Sequence, residues 1–253
     1  MRIALKFAYN GLTFHGFARQ PNLSTVEGEI IKHLTEKKII KNPKDSVYRS
    51  ASRTDKYVSA FGNVIAFDTK RSEYAIIEEL SNIFDDIIVY ASAKTNSDFY
   101  PRYARLRHYR YFLQLEDIDI DKIMQALSCF TGEHNFSNFA RVEPGKNPVR
   151  KIDNIVVEQV GDFLLIDFFA QTFLWNQIRR IVSSVVIVGN DKICIDEIKN
   201  ALNNPNTKKD FGVAPAKPLV LMEVMYNFSF KENPSQIVKL KKLENRIISN
   251  IKK

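Results

Sequence analysis

Arg53-Thr54-Asp55 is the segment of this sequence whose residue types and spacing best fit chemistry. On an extended backbone, side chains two residues apart project to the same side, so the Arg53 guanidinium can hold the Asp55 carboxylate ionised and aimed. A carboxylate so placed can attack as a nucleophile or accept a proton as a base. An Arg-x-Asp on its own is more often a surface ion pair, so its setting decides. A second group supplies that setting. Arg102, Arg105, Arg107 and Arg110 lie in a stretch with no acidic residue from Arg102 to Leu115, with Tyr100, Tyr103, His108, Tyr109 and Tyr111 interleaved. Guanidinium groups suit phosphates and rings suit bases, so the combination reads as a nucleic-acid surface. The bland alternative is a solvated basic face over core tyrosines.

Other chemistries lack residues. His15, His33, His108 and His134 are scattered, and Cys129 and Cys194 stand singly in apolar segments. No HExxH, Cys/His cluster, GxGxxG, P-loop or GxSxG occurs, so zinc, dinucleotide, NTP and serine-hydrolase sites have no support and no metal is expected. The cysteine usage fits a reducing cytoplasm. With 45% apolar and 26% charged residues, the 253-residue chain has the composition of a folded globular protein rather than a disordered one. No apolar run approaches the roughly 18 residues of a membrane span; Ile181 to Val188 is short and interrupted by Ser183 and Ser184. The first residues alternate like a strand rather than a leader peptide. The net charge of +8 favours polyanions, and over half of it sits between Lys231 and Lys253, where seven basic residues face only Glu232 and Glu244.

Hydrophobic period supplies the elements that must position these groups. The first part reads as a strand Arg2 to Tyr9, a helix capped at Ser24 with Glu27 closing a capping box, and strands near Ser46 to Ser50 and Asn63 to Asp68. A helix Tyr74 to Phe84 with Ile76, Ile77, Leu80, Ile83 and Phe84 inward and a strand Ile87 to Ala91 complete it. The second part reads as a strand His108 to Leu115, a helix from Asp119 to Phe130 closed by Gly132, and an irregular segment to about Arg150. A hairpin of Ile155 to Val160 and Phe163 to Phe169 turns through Gly161-Asp162. Helices Phe173 to Val188, closed by Gly189, and Asp196 to Leu202 precede a strand Leu219 to Phe230. Both parts follow a βαββαβ order, the second with a helical insertion, which predicts an α+β protein of two similar halves with antiparallel sheets, spanning 1–104 and 105–230. A basic amphipathic helix is expected over 231–253, its stripe of Ile237, Leu240, Leu243, Ile247 and Ile251 packed on the body.

The segments resemble, in order, the signatures of the tRNA pseudouridine synthase A family. Arg53-Thr54-Asp55 with Val58-Ser59-Ala60 is similar to GRTDxGVxA, and Tyr9-Asn10-Gly11 with Gly16 to Gln20 to YDG…GWQRQ. Phe99 to Arg102 and Arg107 to Tyr111 resemble FHAR…RYRY; Gly132 to Phe139 resembles GxxDFxxF; Asn147 to Arg150 resembles the TPxR segment. Phe173 to Val182 resembles FLxHxVRxIVG, and Ala214-Pro215-Ala216 with Leu219 resembles APAxGLxL. Seven collinear pieces cover about residues 1 to 226. Ser52 stands at a usual glycine, Asn10 at an aspartate, Ala18 at a glutamine and Pro218 at a glycine. Tyr57 also replaces a usual glycine, which alters the local turn or narrows the pocket, since only glycine takes positive φ readily.

The resemblance implies a pseudouridine-synthase-like fold with a catalytic cleft between the halves, and conversion of uridine to pseudouridine in the tRNA anticodon arm at positions 38 to 40, without cofactor or metal. It implies Asp55 as the catalytic carboxylate, Arg179 as its neutralising partner, and Tyr109 stacked on the uracil, its phenol a general acid or base. Leu219 walls the other face of the base, and Arg53 contacts the backbone or helps extrude the nucleotide. Arg19, Gln20, Arg102, Arg107 and Arg110 are expected to meet tRNA phosphates. A cytoplasmic homodimer with tRNA as partner follows from the same resemblance. Whether Asp55 attacks the base, attacks the sugar or acts as a base at C2′ is left open. Two alternatives also stay open: a non-catalytic RNA-binding protein on this scaffold, or a synthase with another RNA target site.

Overall fold

A computed structural model of the chain describes residues 1–80 and 85–252. Contacts divide it into two compact units, Met1–Arg105 with Val220–Lys253, and Leu106–Leu219. In the first unit β1 (Arg2–Tyr9) is a central strand, with Ile3, Leu5, Phe7 and Tyr9 fully buried on one face and the small Ala4 and Ala8 on the other. Burial on both faces explains its near-continuous apolar sequence. Helix α1 (Val26–Glu36) is capped by Thr25, whose hydroxyl accepts from Gly28 N, and not by Ser24. Glu27 is therefore no capping-box residue: it turns inward and accepts from Arg19 N at 3.3 Å. After β2 (Arg49–Ser50), β3 (Ser59–Asp68) runs antiparallel to β1 and starts four residues before the Asn63 expected from alternation, because both of its faces are buried as well. Helix α2 (Glu73–Leu80) buries Ile76, Ile77 and Leu80; the expected inward positions Ile83 and Phe84 lie outside the described residues. Strand β4 (Ile87–Thr95) closes this stretch antiparallel to β1.

In the second unit β5 (Leu106–Gln114) pairs antiparallel with the hairpin strand over Phe163–Ala170. Helix α3 (Ile120–Ser128) opens on Asp119, whose carboxylate accepts from Lys122 N. Gly132 takes φ +102 but opens a strand rather than closing that helix. The segment expected to be irregular holds a two-stranded sheet of β6 (Gly132–Asn135) and β7 (Val149–Ile152). Strands β8 (Asn154–Val160) and β9 (Phe163–Ala170) form the hairpin, with Gly161 at φ +58. Helix α4 (Gln177–Gly189) begins four residues later than its periodicity indicated, after a left-handed Asn176. Gly189 serves close packing: a Cβ there would lie 2.5 Å from the Ile118 side chain, while Asp191 takes the positive φ beyond the helix. Helix α5 (Ile195–Asn203) follows.

Strand β10 (Leu219–Met225) ends earlier than the expected Phe230 and runs parallel to β3, with Val220 opposite Ser59 and Leu221 opposite Ala60. That pairing puts residues from Val220 onward with the first unit instead of a half spanning 105–230. The sheet of that unit has the order β11-β4-β1-β3-β10, where β11 (Lys231–Glu232) is a short edge strand. Helix α6 (Pro234–Ile251) is capped by Asn233, starts with proline, and packs Leu240, Leu243, Ile247 and Ile251 inward, against β4 above all. The architecture is α+β with mostly antiparallel strands. Among the described residues no helix is long and apolar enough to cross a membrane.

Candidate active site

Asp55 sits half-buried in the loop entering β3, and its neighbours explain how that loop is held. Thr54 is buried; its hydroxyl pairs with Tyr9 Oη at 2.7 Å, and its carbonyl accepts from Phe17 N at 3.1 Å. Two residues earlier, Asn63 Nδ2 donates to Ser52 O at 3.0 Å. After Asp55 the chain turns through Lys56 and Tyr57, with Val58 N donating to Asp55 O at 3.2 Å. Tyr57 occupies the third turn position at φ +73, so the backbone takes the conformation that a glycine would favour and the ring is left 44% exposed beside Lys56 Nζ. Tyrosine thus stands at the expected glycine position in a backbone conformation that glycine adopts more readily. Arg53 and Lys56, on either side, are exposed.

Two glycines of the preceding loop permit this packing. A Cβ on Gly11 would stand 2.3 Å from Val58 O, and Gly16, at φ +90, lies against the backbone of Thr54 to Lys56. The loop 14–20 thus rests on the aspartate loop. On it, Arg19 is tethered to buried Glu27, Nε to Oε2 at 3.6 Å, with its head largely in water, and Gln20 Nε2 donates to His15 O at 2.7 Å. Farther along the same unit Arg102 is exposed, next to Tyr103 at 80% exposure, while Arg49 lies 5.7 Å from the Tyr100 ring. Asp55, Arg53, Arg19, Gln20 and Arg102 all belong to the first unit.

The other expected site residues belong to the second unit, and most are engaged within it. Tyr109, only 8% exposed, meets Phe173 edge-to-face with centroids 5.4 Å apart. Two residues on and on the same face of β5, Tyr111 donates to Pro215 O at 3.2 Å; burial raises its pKa far above the phenol range against a lowering pull from Arg179. Arg179 is half-buried on the first turn of α4. Its Nε donates to Ala214 O at 2.8 Å and an Nη to Asn176 Oδ1 at 3.2 Å, so the segments before and beside the helix fix its guanidinium. Leu219, 6% exposed, follows the same 214–216 turn, its N donating to Ala216 O.

Arg107 and Arg110, expected as phosphate contacts, already have partners. Arg107 is buried and donates to Gln171 O. Arg110 makes a two-pronged pair with Asp167, Nε to Oδ1 and Nη2 to Oδ2 both at 2.8 Å, and His108 Nε2 lies 2.6 Å from Oδ1. Burial pushes the Asp167 carboxyl up, but hydrogen bonds from His108 and Arg110 outweigh it, so its pKa is lowered; the pairing raises that of Arg110.

Sequence reasoning missed the groups that orient rather than react: Tyr9, Asn63 and Glu27 behind the aspartate loop, and Asp167 beneath the basic strand. The signal was present for Asp167, a lone acid in the run Phe163 to Ala170. Among the described residues no group of three His, Cys, Asp or Glu side chains is placed to hold a metal ion.

The family model described as tRNA pseudouridine synthase matches residues 126–227. The tRNA pseudouridine synthase A of Thermococcus sibiricus is 41% identical over 244 residues, covering 96% of this chain and 91% of that protein. Those of Pyrococcus horikoshii and Methanosarcina mazei are 43% and 41% identical over 228 residues, each covering 89% of this chain and 85% of the relative. Among solved structures, a chain in an H/ACA ribonucleoprotein bound to a substrate RNA containing 2′-deoxyuridine aligns with a TM-score of 0.37 at 16% identity, over 73% of this chain and 44% of that one.

Proposed function

Because this chain belongs to the tRNA pseudouridine synthase A family, a family of isomerases, we propose that it converts uridine to pseudouridine in the anticodon arm of tRNA, at positions 38 to 40, with Asp55 as the catalytic carboxylate. The reaction breaks the N1–C1′ bond, turns the freed uracil and rejoins C1′ to C5, and the C5 proton is lost as N1 gains one. Nothing is oxidised or reduced, so a positioned carboxylate and a closely shaped, water-poor pocket suffice.

The observation that carries the reading is the anchorage of the aspartate loop. Buried partners hold the residues just before Asp55, through Tyr9, Phe17 and Asn63, while the carboxylate itself is left half-buried beside exposed Arg53. A reacting group needs that combination of a fixed backbone and an accessible head. The remaining roles carry over from the family resemblance: Tyr109 as the ring that stacks on uracil, Arg179 as the neutralising cation, and Leu219 as an apolar wall. Arg53 helps extrude the target nucleotide, which costs a few kcal/mol, and Arg19, Gln20 and Arg102 meet phosphates. Arg107 and Arg110, held by Gln171 O and Asp167, act on the RNA through the charge and shape of their strand. The same family reading makes the protein a cytoplasmic homodimer, which light scattering of the purified chain tests.

The experiment is chemical mapping of pseudouridine after incubation with unmodified tRNA. Product at one or more of positions 38 to 40 supports the assignment. Product elsewhere shifts the target site, and tight binding without product favours a binding protein.

A further inference from the structure

The sole tryptophan of the chain, Trp175, is 45% exposed, and three features set it apart from a stray surface hydrophobe. The Arg141 guanidinium lies over the indole, 4.1 Å from the ring centroid. The backbones beneath them are joined, Arg141 N donating to Trp175 O at 2.8 Å. Trp175 is also flanked by fixed residues: Leu174 N donates to the buried Gln177 Oε1, and left-handed Asn176 accepts from Arg179. The ring is thus a preset platform, one residue from the side chain that aims Arg179. The segment that carries Arg141 is cationic. From residue 141 to 151 the chain carries Arg141, Lys146, Arg150 and Lys151 against Glu143 alone.

We propose that Trp175 and Arg141 form a nucleobase subsite, in which an unpaired base of the RNA stacks on the exposed indole while the guanidinium meets an adjoining phosphate. A base offers a flat apolar face and a nearby anion, which is the complement of this pair, and stacking of this kind tolerates any base identity. The proposal rests on the RNA reading above and assigns Trp175 a part in positioning, since it holds a nucleotide beside the reacting one.

A chain with one tryptophan reports on its own site. Titrating the full-length protein with an unmodified anticodon-arm hairpin is expected to quench the tryptophan emission in step with RNA retention on a filter. Heparin, a polyanion without bases, is expected to leave it unchanged. Trp175→Ala is expected to weaken hairpin binding about fivefold to a hundredfold, the usual range for one stacked base, and to raise KM with kcat nearly unchanged. Arg141→Gln should lower affinity less and reduce the salt slope of binding by about one. Unchanged emission with RNA bound, equal quenching by heparin, or a Trp175→Ala protein that binds as wild type but melts earlier would each overturn the subsite. If pseudouridine still forms in those cases, the enzyme reading stands without it. Base-dependent quenching with no pseudouridine in any tRNA would instead support the subsite and remove the enzyme reading.

Discussion

Tyr9 Oη and Thr54 Oγ1 stand 2.7 Å apart in the buried interior of the first unit, tying the last residue of the central strand to the residue before Asp55. The anchor is polar on both sides, and Asn63 Nδ2 approaches the same phenol at 3.5 Å. Removing one partner leaves the others buried with less to bond. Tyr9→Phe is therefore expected to cost about 1–2 kcal/mol of stability, read from urea unfolding, and to lower kcat more than it raises KM. A variant as stable and as fast as wild type would show that the anchor does not position the aspartate.

Tyr57 holds φ +73 at a turn, a conformation that strains any residue with a Cβ. Tyr57→Gly is expected to relieve roughly 1 kcal/mol of strain, partly offset by the extra freedom of glycine in the unfolded chain. The melting temperature should hold or rise slightly, and activity should be kept. Tyr57→Val, β-branched and bulky at this φ, is expected to lose about 1–2 kcal/mol. The reverse order of stabilities in thermal melts would contradict the turn geometry.

Asp167 gives a dependence on pH. Its carboxyl pKa is lowered in the fold, burial being outweighed by bonds from His108 and Arg110. The folded state thus binds its proton more weakly than the unfolded chain does. Its stabilising contribution is complete above the unfolded value of about 3.9 and is lost as pH falls through the lower folded value. Asp167→Asn is expected to be less stable at neutral pH and to show a shallower fall in unfolding free energy on acidification. Parallel curves for the two proteins would rule out that role. Arg110→Gln, which strips the two-pronged bond, is expected to cost about 1.5–3 kcal/mol.

Arg179 is aimed by Ala214 O and Asn176 Oδ1, and a lysine lacks the guanidinium fork that uses both. Arg179→Lys is expected to keep stability within about 1 kcal/mol but to lower kcat about a hundredfold through misplacement of its charge. Full activity in single-turnover kinetics would mean that positive charge alone, or neither property, is needed.

The regular elements were legible where an apolar run, one-sided burial or a marked turn defines them. Strand β1, the Gly161-Asp162 hairpin, the Asp119 cap and the packed stripe of α6 follow from period and capping chemistry. Elsewhere two rules competed. Ser24 and Thr25 are both able caps, and the packing of Glu27 against Arg19 N chose the second. Phe173 and Leu174 continue the apolar period of α4, but Gln177 and Asn176 divert the backbone into a loop that presents Trp175. The β6–β7 pair is too short and too polar for alternation to reveal. At the site, Arg53 and Asp55 were visible as a motif. The residues that fix them were not, because Tyr9 and Asn63 reach the loop from 45 and 11 residues away, through contacts that local spacing does not encode.

The central claim is that the Asp55 carboxylate performs the chemistry, and Asp55→Asn tests it most directly because the side chain keeps its shape and loses only its charge. Wild-type and variant proteins, matched in melting temperature and in tRNA affinity, are incubated with unmodified tRNA in single-turnover assays, and pseudouridine is mapped. The expected result is product from the wild type and a loss of at least about a thousandfold in rate for the variant, the scale of removing a group that reacts in the transition state. Product from the Asp55→Asn protein at a rate near that of the wild type would contradict the assignment.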